Sequence, residues 1–217
     1  MSEARGSAGS GPKRVALTFD TEHPDRPTVP GVTDGLLDVL AAAGVPATFF
    51  LQGRWVEAYP ETARAIAAAG HLVGNHSHYH AEMPLLTDAG LVEDIGASTR
   101  AIREATGADP RPWFRCPFGA GADDARILGA LADAGYRHAG WHVDTEDWQP
   151  DHDGPTTERD VVAGVTAHGD GAVVLLHGWP RGTLDASAGI IDRLRSAGYT
   201  FVRIDELDEV PTAPPWT

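Results

Sequence analysis

The sequence contains a single cysteine, Cys116, so no disulfide can close within the chain and its stability must come from an apolar core. Basic residues are scarce too. Seventeen Lys and Arg stand against 31 Asp and Glu, a formal charge of −14. A phosphate backbone would be repelled, so nucleic acid is not an expected partner. No apolar run approaches the roughly 18–20 residues that a membrane-spanning helix needs, and no membrane partner is expected. Residues 1–12 are rich in Ser, Gly and Ala and lack the apolar centre of a secretory signal, so the expected location is cytoplasmic, with secretion the alternative where a signal has been removed. No repeat, low-complexity block or charge run divides the chain.

What remains is 217 residues of ordinary composition, 42% hydrophobic, which suits one domain with a full core. The expected division is a flexible leader over 1–12, a single catalytic domain over 13–208 and a tail over 209–217. Short apolar runs at 14–19, 47–51, 71–74, from 112, 137–143, 172–176 and 199–204 read as strands. Between them, helical periodicity covers 33–43, 60–69, 87–105, 123–134, 158–167 and 184–197, several of these closed by a glycine. About seven β-α units in alternation imply a parallel sheet with right-handed crossovers, either a barrel or an open doubly wound sheet.

Polar residues follow five of the strands: Asp20 and Glu22, then His76, His78 and His80, then Arg115, then residues 144–147, then His177. Parallel α/β folds assemble their sites at these C-terminal strand ends. The segment Asn75-His76-Ser77-His78-Tyr79-His80 carries imidazoles at alternate positions. Surface histidines in a polar turn would be the bland explanation, but three at one strand exit point to a metal. Two imidazoles and a carboxylate leave a coordination position open for water. His76 with His80 suits a helical turn, and His76 with His78 an extended strand. Asp20 and Glu22 offer one carboxylate as ligand and another as base, although a turn Asp and a surface Glu would look the same. Arg115, after a buried Trp-Phe pair, demands an acidic partner. Asp144, Glu146 and Asp147 could orient a histidine, and Trp148 could floor a pocket. His177 is a candidate general acid, or a satisfied core histidine. His71, His138, His152 and His168 read as structural or surface groups, while His23 and His142 fall near the expected mouth. Trp55, Trp141 and Trp179 are stacking walls or, for Trp141 above all, core. Met83 reads as gap filling.

Together these segments resemble the polysaccharide deacetylase family, the NodB-homology domain of carbohydrate esterase family 4. The likeness runs from about Val15 to Ile204 through Thr18-Phe19-Asp20, His76-Ser77-x-x-His80, Arg115-x-Pro117-Phe118, Asp144-x-x-Asp147-Trp148 and Leu175-Leu176-His177. It implies a distorted (β/α)₇ barrel and hydrolysis of an N-acetyl group on an amino sugar or polysaccharide, such as a chitooligosaccharide or peptidoglycan fragment. It also implies a divalent metal ion, Zn²⁺ foremost. By position, Asp20 is the implied base, His76 and His80 the imidazole ligands, and Arg115 the group holding Asp20. Asp147 tunes His177, the acid that protonates the departing amine. The backbone near Phe118 stabilises the oxyanion, Trp148 contacts substrate, and Leu175 lines the acetyl slot. One departure stands out: Thr21 replaces the family's second Asp. Glu22 is the substitute ligand of choice. The alternatives are Asp20 as ligand with Glu22 as base, or a damaged metal site. The resemblance leaves room for an O-acetyl ester or a cyclic amide or imide as substrate, and for a silent glycan-binding module.

Overall fold

The computed structural model describes residues 11–22 and 29–216, and strand alternates with helix along that length. The elements are β1 (Lys13–Thr21), α1 (Val32–Ala43), β2 (Thr48–Leu51), α2 (Gly53–Ala58), α3 (Pro60–Ala68), β3 (Leu72–Asn75) and α4 (Asp88–Thr106). They continue as β4 (Trp113–Phe114), α5 (Ala125–Asp133), β5 (Arg137–His138), β6 (Val143–Asp144), α6 (Gly154–His168), β7 (Ala172–His177), α7 (Arg181–Ser196) and β8 (Tyr199–Phe201). All pairings are parallel, in the order β5-β4-β3-β2-β1-β7-β6, with β8 beside the first residues of β1. The strands curl into a barrel that stays open between β5 and β6, which do not pair among the described residues.

Strand alternation sorts the side chains. On β1, Val15, Leu17 and Phe19 point outward and join Leu36 and Leu40 of α1 and Ile190 and Leu194 of α7 in the main core. Ala16 faces the other way, into a smaller cluster with Phe50, Trp113, Trp141, Val173 and Leu175 that fills the barrel interior. Asp20 shares that parity, as His177 does on β7, and the two are in register across the β1–β7 pair. The helices begin where side chains can accept their first amide protons: Thr87 for α4, Asp124 for α5 and Asp153 for α6. Gly44 ends α1 in the left-handed conformation at φ 61°, which a side chain would strain.

The single strand expected over 137–143 is two short ones. Its middle is diverted because Arg115 claims the carbonyls of Ala139 and Gly140 at 3.1 Å each, acceptors a ladder would otherwise use. This division makes eight strands of the expected seven. The helix expected over 158–167 starts four residues earlier, at Gly154, because Asp153 caps it and Pro155 suits its first turn. The last strand stops at Phe201, and 202–204 lead into a short 3₁₀ turn, Ile204–Glu206. Helix α2 escaped the sequence reading: it has six residues and opens on glycine.

The expected leader over 1–12 lies outside the described residues except for its last two, and His23 lies outside them entirely. Residues 210–216 lie against the barrel: Gly140 donates its amide to Pro211 O at 2.6 Å, and His138 Nδ1 stands 3.0 Å from Thr212 O. Among the described residues, no helix is long and apolar enough to cross a membrane.

His138 and His142 make the fold acid-sensitive. Burial pushes His138 down to about 4; burial, and then its neighbour His168, does the same for His142. Below about pH 6.5 the unfolded chain therefore binds protons that the folded chain refuses. The stabilisation is complete above that pH and is lost as pH falls toward 4. The melting temperature is expected to drop between pH 7 and 5, and less steeply in His138→Gln; equal slopes in the two proteins would refute this assignment.

Candidate active site

The site opens at the C-terminal ends of β1, β3, β4 and β7. Arg115 is its buried anchor, with no exposed side-chain surface. Its Nη1 donates to Asp20 Oδ1 and to Thr18 Oγ1, each at 2.8 Å, while the guanidinium lies over Phe50 at 4.1 Å and near Trp141 at 5.3 Å. With both carbonyls added, the guanidinium makes four hydrogen bonds, one of them an ion pair with Asp20, the partnering that a buried charge requires. Asp20 is thereby fixed with Oδ2 facing the cleft, 3.6 Å from His76 Nε2.

The histidine segment is neither helix nor strand. Residues 76–80 form a loop in which Ser77 and His80 take positive φ, 63° and 57°. Phe118 and Glu146 complete the set of positive-φ residues other than glycine among the described residues, and both line the same cavity. Each such conformation costs on the order of 1–3 kcal/mol and persists only where its surroundings impose it. Those surroundings are visible here. Asn75 accepts from Ser77 N and Ser98 Oγ, Asp94 accepts from the amides of His78 and Tyr79, and Ser77 Oγ accepts from His80 N. Asn75 and Asp94 went unremarked in the sequence. The available signal was an Asp on the otherwise apolar α4 stripe of Leu91, Ile95 and Ile102.

This loop brings His76 and His80 together, with Nε2 atoms 3.2 Å apart, and His80 Nε2 lies 3.3 Å from Glu22 Oε1. His78 points elsewhere, toward Glu57 at 3.9 Å, so the His76–His78 pairing does not form. The carbonyl of Arg115 can only accept, so His76 Nδ1 carries the proton and Nε2 presents a lone pair. Ligand atoms of Glu22, His76 and His80 all lie within 4.8 Å of one another. Tetrahedral ligands on bonds of about 2.0–2.1 Å stand about 3.3 Å apart, so these spacings fit a divalent ion of zinc's size. Burial holds His76 down at about 4, in the neutral form a ligand needs. Burial works against the Glu22 charge, but His80, His177 and His76 outweigh it and lower its pKa well below the usual carboxylate range. Trp179 Nε1 donates to Glu22 Oε2 at 3.2 Å. Thr21, on the opposite face of the strand, accepts from Gln52 N at 3.2 Å and takes no place in this cluster.

Asp147 grips His177 twice, at the backbone amide (2.8 Å) and at Nδ1 (2.6 Å), and also accepts from Thr183 Oγ1 at 2.5 Å. Against a carboxylate, Nδ1 is the donor, so Nε2 faces the cleft, 3.5 Å from Glu22 Oε1. Burial opposes the His177 charge, but Asp147 and then Glu22 and Asp20 push its pKa up to about 9. Asp144 does not orient a histidine: it accepts from Trp141 Nε1 and Glu146 N, both at 3.0 Å. His142 is not at the mouth either. Its Nδ1 accepts from Val173 N, and its ring stacks on His168 at 3.9 Å. Trp55 is buried in the main core, and Met83 fills a satellite cluster with Leu91 and Phe114.

A cavity of about 380 Å³ joins these groups, lined by Asp20, Glu22, His76 and His177 and walled by Phe118, Trp148, Leu175 and Trp216. All ten sequence-predicted residues border it or touch a residue that does: Arg115 touches Asp20, His80 touches His76 and Glu22, and Asp147 touches His177. Trp216 was not foreseen, since nothing local marks a tryptophan eight residues beyond Asp208 as part of a cleft.

A family model described as Polysaccharide deacetylase matches residues 7–139. A chitooligosaccharide deacetylase of Rhizobium leguminosarum bv. trifolii is 34% identical over 208 residues, covering 89% of this chain and 91% of the relative. Peptidoglycan-N-acetylglucosamine deacetylase PgdA of Listeria monocytogenes is 36% identical over 195 residues, covering 90% of this chain and 39% of the relative. This chain thus spans about two fifths of the Listeria protein. Among solved structures, a carbohydrate esterase family 4 pseudoenzyme from Bacillus anthracis superposes with a TM-score of 0.80 at 29% identity, covering 92% of this chain and 66% of that one.

Proposed function

The chain belongs to the polysaccharide deacetylase family, carbohydrate esterase family 4, and on that premise we propose that it hydrolyses the N-acetyl group of an amino sugar in an oligosaccharide or polysaccharide. A pseudoenzyme of the same fold means that the fold alone carries no activity. The observation that carries the reading is the joint survival, around one cavity, of a metal-ligand triad, an Arg-held carboxylate and an Asp-held imidazole.

Glu22, His76 and His80 would hold a divalent cation, Zn²⁺ by the two-imidazole, one-carboxylate donor set. Such a cation supplies Lewis acidity, polarising a carbonyl oxygen and making water a stronger acid. Asp20 accepts the proton of the attacking water through Oδ2, the oxygen that Arg115 leaves open. The water oxygen bonds to the acetyl carbon, and the backbone N–H near Phe118 stabilises the oxyanion together with the cation. His177 Nε2 then protonates the amine nitrogen as the C–N bond breaks, leaving acetate and a free amino sugar. Asp147 keeps His177 in the tautomer and orientation for that transfer. Leu175 borders the slot for the acetyl methyl, and Trp148 offers a ring face to the sugar. Asp144 and Glu146 add negative charge to the lining, which favours an uncharged N-acetylated sugar over a carboxylated one.

Purified protein is expected to hold about one equivalent of metal per chain and to release acetate from chitooligosaccharides, both lost on chelation and restored by Zn²⁺. Elemental analysis beside an acetate assay tests this. Protein that stays free of metal after reconstitution, or stays inactive when loaded, sinks the reading.

A further inference from the structure

Residues 210–216 are built into the cleft wall. Val210 packs on the interior cluster of Phe50, Trp113 and Trp141, and the Pro211 and Thr212 carbonyls meet the amide of Gly140 and the ring of His138. Two glycines admit the segment. A Cβ on Gly140 would fall 2.3 Å from Ala213 O, and one on Gly119, already at φ 68°, would fall 2.9 Å from Pro214 Cγ. The segment lies where the barrel fails to close, beside the link between β5 and β6, and it delivers Trp216 to the rim of the cavity that holds Asp20 and His177. The Trp216 indole meets Trp141 edge to face at 5.3 Å and 69°, yet 60% of the residue stays exposed.

An indole with so much free surface contributes little to the core, whereas its ring face suits the apolar face of a sugar. The cavity, at about 380 Å³, is near the lower end of the usual ligand-pocket range of roughly 300–1,000 Å³. It accommodates the reacting residue and leaves its neighbour in the chain outside, at the rim. We infer that Trp216 is a substrate-binding platform that stacks on the sugar ring adjoining the one deacetylated, and so makes the site selective for oligomers over single N-acetylated sugars. The inference rests on the deacetylase reading for its substrate, though not for its test.

The test is calorimetric titration of chitotetraose and of N-acetylglucosamine into Asp20→Asn protein, with and without Trp216→Ala or Trp216→Phe. Asp20→Asn keeps the ligand intact during the measurement. Trp216→Ala is expected to weaken chitotetraose about 5- to 10-fold, to change N-acetylglucosamine by less than twofold, and to leave the melting temperature in place. Trp216→Phe keeps a ring face and should retain most of the affinity. In otherwise wild-type protein, Trp216→Ala should raise KM for the tetramer and leave kcat within twofold. Unchanged tetramer affinity in Trp216→Ala, equal losses on monomer and tetramer, or no tetramer binding with Trp216 intact would each overturn the assignment. Tetramer binding that depends on Trp216 in a protein that releases no acetate would uphold the platform while rejecting the deacetylase reading.

Discussion

Asp20→Asn is expected to lower kcat for acetate release by about 10³-fold while the protein keeps its metal and its fold. The amide can still accept from Arg115 Nη1 through its oxygen, so the buried guanidinium keeps a partner, but the NH2 group that then faces the cleft donates and cannot take a proton from water. Glu22→Gln is expected to do the reverse, losing metal first and activity as a consequence, because Glu22 supplies the anionic ligand atom beside the two imidazoles. Metal content and acetate release measured on both variants separate the two carboxylates. If Asp20→Asn lost metal and Glu22→Gln retained it, the roles would be exchanged: Asp20 the ligand and Glu22 the base.

Arg115→Leu is expected to destabilise the fold by about 3–5 kcal/mol, a fall of roughly 10 °C in melting temperature for a chain of this size. The guanidinium is fully buried, and its loss would strand the carboxylate of Asp20, the Thr18 hydroxyl and the carbonyls of Ala139 and Gly140 without their donor. About half of the cost lies in the uncompensated Asp20 charge and the rest in the lost contacts. The double variant Arg115→Leu/Asp20→Asn should therefore recover about half of the loss, since no ion is left buried. Chemical denaturation of the four proteins closes the cycle. Additive effects of the two substitutions would mean that Arg115 serves the fold through Phe50 and Trp141 packing and not through Asp20.

The sequence alone carried the β-α alternation, the five strand-end motifs and the ten candidate residues that the fold gathers around one cavity, because each rests on local information. Period-2 alternation on β1 puts Asp20 on the inner face whatever follows, and a glycine after an apolar helix marks its end without reference to the rest of the chain. Other features exist only between distant segments. Whether His78 or His80 joins His76 was decided by Asn75 and Asp94, which bend the loop into positive φ at Ser77 and His80. Thr21 is turned toward β2 by the amide of Gln52, and Glu22 is held at the cluster by His80 and by Trp179 from the end of the neighbouring strand β7. Arg115 splits a strand that periodicity would have kept whole. Trp216 reaches the cleft only because Gly119 and Gly140 leave room for the segment that carries it. Local pattern is a property of neighbouring residues and is written in their order. The partners of a buried charge, and the occupant of a gap in a barrel, are properties of the folded surface and come into being only when it closes.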